Sequence, residues 1–285
     1  MNELLNLVAD WRERPRVVTP LEGGLTNRNY RVDIDGNSYV LRIPGDETAL
    51  LGIDRQVEAD CSRAAAQSGV APEVIAFLPE HGALVRRFVD GRVLTAEDVR
   101  RPEILRRVVD SVRRYHDSPP GPGSFGPLAT VRQYQSQARQ RGVPMPPEFA
   151  RAVEILEARM REHPSEPPCP CHNDLLAANL VDDGAVVRII DWEYAGMGDR
   201  YFDLGNLAVN NEFEDSDEMA LLEAYFGHGN AQPERLRRLR TMRLASDLRE
   251  AAWGYLQAAI SKLNQDYLGY GGRHLERFLR RAHVG

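Results

Sequence analysis

Between Cys171 and Tyr194 the chain reads Cys171-His-Asn-Asp174-Leu-Leu-Ala-Ala-Asn179-Leu-Val181, a turn at Asp182-Asp183-Gly184, then Val186-Val-Arg-Ile-Ile-Asp191-Trp-Glu193-Tyr194. The second half is a hydrophobic strand that stops abruptly at a carboxylate, a place where α/β folds hold metal ions. The strand end fixes Asp191, and a turn five residues after Asp174 lets Asn179 point back to the same spot. Asp191 and Asn179 offer hard oxygen donors of the kind Mg²⁺ accepts. Asp174 is left to take a proton from an attacking hydroxyl.

The surrounding elements must hold these groups in register. Arg28 to Ile43 is two alternating apolar runs joined at Asp35-Gly36-Asn37, a strong hairpin pattern. A glycine loop, Gly23-Gly24-Leu25-Thr26-Asn27, precedes it; a helix over Ile53–Gln67 and strands over Val70–Phe77 and Ala83–Val89 follow. From Thr95 the pattern turns helical. Glu103–His116 puts Ile104, Leu105, Val108, Val109, Val112 and Tyr115 on one face. Helices are also expected over Arg132–Arg141 and Ala150–Arg161, with four more between Asp217 and Arg281.

Composition excludes several mechanisms. The 36 basic residues stand against 42 acidic ones, a net charge of −6, which disfavours general affinity for nucleic acid or anionic membrane. Only one basic residue is a lysine, Lys262, in a stretch read as helical; the other 35 are arginines. A Gly-x-x-x-x-Gly-Lys phosphate loop is therefore ruled out, and a Schiff-base lysine is disfavoured. Cys61, Cys169 and Cys171 are too few for a disulfide framework, and Cys169-Pro-Cys171 lacks zinc spacing or a second pair. With no signal-peptide pattern and no membrane-length apolar run, the expectation is a reducing, cytoplasmic setting.

His172-x-Asp174-x-x-x-x-Asn179 followed by Ile190-Asp191-Trp-Glu-Tyr resembles the signature shared by aminoglycoside phosphotransferases and choline/ethanolamine kinases, relatives of protein kinases. Three further stretches are similar to the bacterial choline/ethanolamine kinase branch: Gly23–Val32 with Tyr39–Gly45, Asp191–Gly196 with Phe202–Asn206, and Trp253–Gln257 running on to Asp266–Tyr270. The resemblance implies an α+β, bilobal, protein-kinase-like fold. Residues 1–88 would form a nucleotide-binding lobe, and 89–285 a catalytic and acceptor lobe. It implies ATP and Mg²⁺ as cofactors, Asp174 as catalytic base, and Asn179, Asp191 and Glu193 at the metal. His172 would brace the loop. Gly24, Leu25, Thr26 and Asn27 would cover the phosphates, Arg42 braced by Glu58 would anchor them, and the backbone of Arg87, Phe88 and Val89 would read adenine. Arg42 stands where many relatives carry lysine; a guanidinium can serve there. By residue type alone, Arg42 reads as a surface strand arginine; only the surrounding motif argues otherwise.

The acceptor is approached from Asp247–Leu263. At about 100° per residue, Leu248, Ala252, Tyr255, Leu256, Ala259 and Leu263 form one apolar stripe, the expected core face. Trp253 lies off it with Glu250 and Gln257. An indole beside a carboxylate suits a cation, or it packs against a neighbouring helix; the residues leave both open. The resemblance implies an aromatic cation box, whose matching positions are Tyr194, Trp253 and Tyr270, with Glu250 where eukaryotic members usually carry tryptophan. Choline or ethanolamine is the expected acceptor, with self-association left open. The alternatives are a thiamine kinase, an aminoglycoside kinase, which the acidic run Glu212–Glu218 keeps in view, and a silent binding module. The basic run Arg235–Arg243 reads as a solvated helix face, His116 as structural, and Asp203 as a helix cap or loop brace.

Overall fold

The computed structural model describes residues 2–8, 11–21, 27–45, 47–163 and 166–282. Strands β1 (Arg16–Leu21), β2 (Asn27–Ile34), β3 (Asn37–Pro44), β4 (Val74–Leu78) and β5 (Ala83–Arg87) form an antiparallel sheet in the order β1-β2-β3-β5-β4. The β2–β3 turn places Asp35 at φ 51° and Gly36 at φ 75°. Two left-handed residues in succession are what a tight hairpin matched to strand twist requires. The register then sets Arg42 opposite Leu84 and Val40 opposite Arg86.

Alternation divides the sheet's faces. Val32, Ile34, Leu41, Ala83 and Val85 pack outward beneath Leu5, Val8 and Trp11, next to the short helix α1 (Asn2–Leu5). Val40, Arg42, Leu84 and Arg86 face a cleft. Helix α2 (Arg55–Gln67) starts at Asp54, whose side chain accepts from Gln56 N and Val57 N at 2.9 and 3.1 Å. That cap fixes where Glu58 falls, buried against the sheet. After the sheet, Phe88 N donates to Ser38 O (3.0 Å) and the chain crosses to β6 (Arg92–Val93).

The remainder is mainly helical: α3 (Ala96–Arg100), α4 (Pro102–His116), α5 (Pro127–Gln140), α6 (Pro147–Arg161), α7 (Arg200–Asn210), α8 (Asp215–Phe226), α9 (Pro233–Ile260) and α10 (Tyr267–Ala282). Short strands β7 (Cys169–Cys171), β8 (Leu180–Asp182), β9 (Val187–Ile189) and β10 (Gly196–Gly198) carry the motif segment: β8 pairs with β6 and β9, and β7 with β10. No described helix is long and apolar enough to cross a membrane.

Several expectations change here. The stretch beyond Asp217 holds three helices, because α9 runs unbroken for 28 residues. Its burial extends around every face from Thr241 to Gln257, so the apolar stripe is only part of its core surface. Helices α5, α6, α7, α8 and α10 all pack on it. Ala259 is exposed and Leu263 lies beyond the helix end, so neither belongs to the stripe. The basic run is a solvated face only in part: Arg237 and Arg240 are exposed, but Arg238 bonds Asp199 at 2.7 Å, and Arg243 is buried against Glu218. Lys262 sits in the α9–α10 connection, outside any helix.

Two glycines permit the tight packing. A Cβ on Gly205 of α7 would lie 2.6 Å from the Met242 backbone of α9. One on Gly254 of α9 would lie 2.8 Å from Gly271 N of α10.

Candidate active site

A cleft of about 620 Å³ runs from the inner face of the sheet to α9 and α10, with Asp174, Asn179 and Asp191 on its floor. Their backbone is held from beneath. Asp203 of α7, fully buried, accepts from His172 N at 2.8 Å and from Asn173 N at 2.6 Å. Asn206, one turn on, accepts from Leu175 N. Asp203 is therefore a loop brace, and the cap of α7 is Asp199. His172 Nδ1 accepts from Asp174 N (3.2 Å), which leaves Nε2 to donate to Ile190 O (3.0 Å). One imidazole thus spans the catalytic loop and the strand leading to Asp191.

Asn179 donates through Nδ2 to Asp174 O (2.9 Å), leaving its side-chain oxygen for another partner. Asp191 sits at φ 66°, a left-handed conformation unusual for a side-chain-bearing residue. Its Oδ1 is buried with no hydrogen-bond partner. Burial, then the nearby carboxylates of Glu193 and Glu58, hold the Asp191 carboxyl well above the usual range. An orphaned buried carboxylate oxygen beside an asparagine oxygen fits a hard divalent cation such as Mg²⁺. Burial raises Asp174 to about 6, with Arg249 opposing the shift.

At the sheet side, Arg42 and Glu58 meet at 2.9 Å, both buried. Arg42 also donates to Asn27 Oδ1 (3.2 Å) and Gly82 O (3.4 Å), so it is no surface arginine. The sequence reading missed a second cation in this cluster. Arg55 lies 2.7 Å from Glu58 and 3.1 Å from Glu193, and donates to Asn27 Oδ1 at 2.9 Å. Its available clue was the i, i+3 spacing to Glu58 at a capped helix start. Glu193 Oε2 also accepts from Asn27 Nδ2 (2.9 Å), so the expected metal-side carboxylate is engaged by this cluster. Phe88 and Val89 line the cleft, while the Arg87 side chain turns out to Glu73. Gly24, Leu25 and Thr26 lie outside the described residues.

At the far end, Tyr194, Glu250, Trp253 and Tyr270 converge on Asp174. Trp253 and Tyr270 meet edge to face at 5.5 Å, and Tyr270 OH donates to Glu250 Oε2 at 2.7 Å. Trp253 also packs on Tyr267 of α10 at 5.8 Å, so it serves packing and cleft together. Arg249 is the larger omission from the sequence reading. Its Nη1 lies 3.1 Å from Asp174 Oδ1 and bonds Glu250 Oε1, while its guanidinium sits 4.4 Å from the centre of the Tyr194 ring. The Arg-Glu-x-x-Trp spacing held that clue, hidden among many arginines of ordinary helix faces. The acidic run Glu212–Glu218 contributes nothing to the cleft. Glu218 is spent on Arg243 and Arg240, and Asp215 on Arg240.

Known proteins resemble this chain in sequence and in fold. The family model described as "Phosphotransferase enzyme family" matches residues 17–239. Ethanolamine kinase 2 of Rattus norvegicus is 29% identical over 300 residues, covering 91% of this chain and 74% of that protein. A solved choline/ethanolamine kinase family protein from Mesorhizobium loti superimposes with a TM-score of 0.83 at 29% identity, covering 100% of this chain and 98% of that one. LicA in complex with AMP superimposes at 0.78 with 21% identity, covering 99% and 96%. The chain belongs to the phosphotransferase enzyme family, with choline and ethanolamine kinases among its relatives, and is a kinase-like phosphotransferase that acts on an alcohol.

Proposed function

We propose that the chain transfers the γ-phosphoryl group of ATP, with Mg²⁺, to the hydroxyl of a small amino alcohol bearing a primary ammonium group, of which ethanolamine is the type. Residues 1–88 supply the nucleotide side and 89–285 the base and acceptor pocket. Asp174 orients the hydroxyl and accepts its proton, at a distance from phosphate set by the braced loop. Asn179 and Asp191 would hold Mg²⁺, which when bound would neutralise charge on the phosphate oxygens. Arg42, braced by Glu58, restrains the phosphates, and the Arg87–Val89 backbone takes adenine. The solved LicA complex with AMP supports use of an adenine nucleotide.

The charge balance beside Asp174 carries the acceptor reading. Two buried carboxylates, Asp174 and Glu250, share one guanidinium, Arg249. One negative charge remains for a cation. A primary ammonium can donate to Glu250 while resting on Trp253 and Tyr270. A trimethylammonium has no N–H to donate and needs aromatic faces free of positive charge, yet Arg249 already covers Tyr194.

The test is ADP release over ethanolamine, choline, thiamine and aminoglycosides. The expected order places ethanolamine first in kcat/KM, choline below it, and the bulky acceptors near background. Highest turnover on an aminoglycoside would replace the reading. No release with any acceptor would favour a silent module.

A further inference from the structure

Outside the cleft, two thiols and an imidazole from separate elements lie together in the interior. His116 ends α4, and Cys169 and Cys171 flank Pro170 in β7. One donor atom of each lies within 4.8 Å of the others. Residues two apart on a strand project to the same side, and here the two Sγ atoms stand 3.7 Å apart. Around a tetrahedral Zn²⁺ with bonds of about 2.3 Å, two sulfurs are separated by about 3.8 Å. The thiols already have that spacing.

The imidazole is oriented for the same purpose. His116 Nε2 lies 3.0 Å from Asp203 Oδ2. An ionised carboxylate only accepts, so the ring proton belongs on Nε2 and the Nδ1 lone pair faces away. That lone pair takes a hydrogen bond from Tyr225 OH at 2.7 Å. A histidine that gives one N–H to a carboxylate and directs its other nitrogen elsewhere is the usual form of a metal-ligating imidazole.

We propose that Cys169 Sγ, Cys171 Sγ and His116 Nδ1 form a binding site for one thiophilic divalent cation, Zn²⁺ or Cd²⁺, with Tyr225 OH released from Nδ1 and water as fourth ligand. Each thiol passes its proton to solvent as its sulfur binds the ion. The site is chemically distinct from the Asn179–Asp191 pair, because soft sulfur ligands select thiophilic ions whereas oxygen ligands select Mg²⁺. The ion would join β7 to α4 directly behind the catalytic loop. The Asp203 contacts to His172 and Asn173 would remain, since Nε2 keeps its proton. The sequence reading found no partner for the Cys-Pro-Cys pair because the third ligand lies on a distant helix.

The experiment is titration of the reduced, metal-free full chain with Cd²⁺, followed by the thiolate-to-cadmium charge-transfer absorption. Wild type and Cys61→Ser should saturate at one equivalent, unaffected by excess Mg²⁺, with a rise in melting temperature. Cys169→Ser and Cys171→Ser should lose the band. Tyr225→Phe leaves the thiols untouched and removes the competing hydroxyl, so it should bind several-fold tighter; it decides the matter if a serine variant does not fold. Absence of the band in wild type, its persistence in folded Cys169→Ser, or weaker binding by Tyr225→Phe would overturn the proposal.

Discussion

Replacing Glu250 with glutamine removes one charge and almost no volume, and the geometry around it sets the size of the effect. Glu250 Oε1 is bonded by Arg249 and Oε2 by Tyr270 OH. Burial pushes the carboxyl upward, but Arg249, His274 and Tyr270 outweigh it and hold Glu250 below its ordinary value, so it is ionised in the working range. A glutamine keeps one oxygen for Arg249 and turns its amide toward Tyr270, whose hydroxyl can accept. Arg249 retains Asp174 as counter-ion, so no charge is stranded. What disappears is the one negative charge left for an ammonium. A hydrogen bond between charged partners contributes about 1.5–3 kcal/mol, so kcat/KM for ethanolamine should fall roughly ten- to hundredfold, mostly in KM. Choline has no N–H bond to lose and should fall less, narrowing the ethanolamine-to-choline ratio. Initial-rate ADP release with both acceptors measures this, with the ATP KM as internal control. An unchanged ethanolamine kcat/KM in a variant that melts like wild type would show that Glu250 does not hold the acceptor.

Asp174→Asn should abolish turnover while leaving nucleotide affinity intact by calorimetry, and retained turnover would remove Asp174 as base. Because Asp174 must be ionised to accept a proton and burial raises it to about 6, the wild-type rate should fall as pH drops through that value and level off above it; a flat profile from pH 5 to 8 would contradict this. Arg42→Lys keeps a cation but gives up a fork that serves Glu58, Asn27 and Gly82 together. Its ATP KM should rise by about five- to thirtyfold, as expected for 1–2 kcal/mol of lost hydrogen bonding, whereas an unchanged ATP KM would place Arg42 away from the phosphates. Gly254→Ala drives a methyl to within 2.8 Å of the α10 backbone; overpacking of this kind costs about 1–3 kcal/mol. The melting temperature should drop by several degrees and the acceptor KM rise, because α10 carries Tyr270.

What could be read from the sequence was what short-range patterns determine. The Asp35-Gly36 turn dictates its hairpin, and strand alternation then puts Arg42 on the cleft face. The His172–Asn179 and Ile190–Glu193 spacings mark the floor of the cleft. Charge pairing across distant elements was not legible. Arg249, Arg238 and Arg243 look alike in a helix rich in arginine, yet each is buried against a different partner: Asp174 and Glu250, Asp199, or Glu218. The expected stripe on α9 failed for a related reason. Enclosed by five other helices, α9 has no solvent face from Thr241 to Gln257 against which periodicity can be read. The Gly254–Gly271 approach, which lets α9 and α10 bring Trp253 and Tyr270 together, is equally invisible before the helices are packed.

The segment from Asp191 to Tyr194 gives the physical reason for its own compact motif. Asp191, turned into the left-handed region, directs its carboxylate to the cleft floor. Trp192 goes to the core, bonds Ile189 O through Nε1 (3.0 Å), and packs edge to face on His172 at 4.6 Å, fixing the imidazole that braces Asp174. Glu193 reaches the nucleotide-side cluster of Arg55 and Asn27. Tyr194 presents its ring to Arg249 at the acceptor end, and its carbonyl accepts from Asn173 Nδ2 at 3.0 Å. On the proposed function, four consecutive residues therefore touch the floor that would hold the metal, the brace of the base, the nucleotide-side cluster and the acceptor pocket. A one-residue insertion here would move all four contacts at once, which fixes the spacing of the motif.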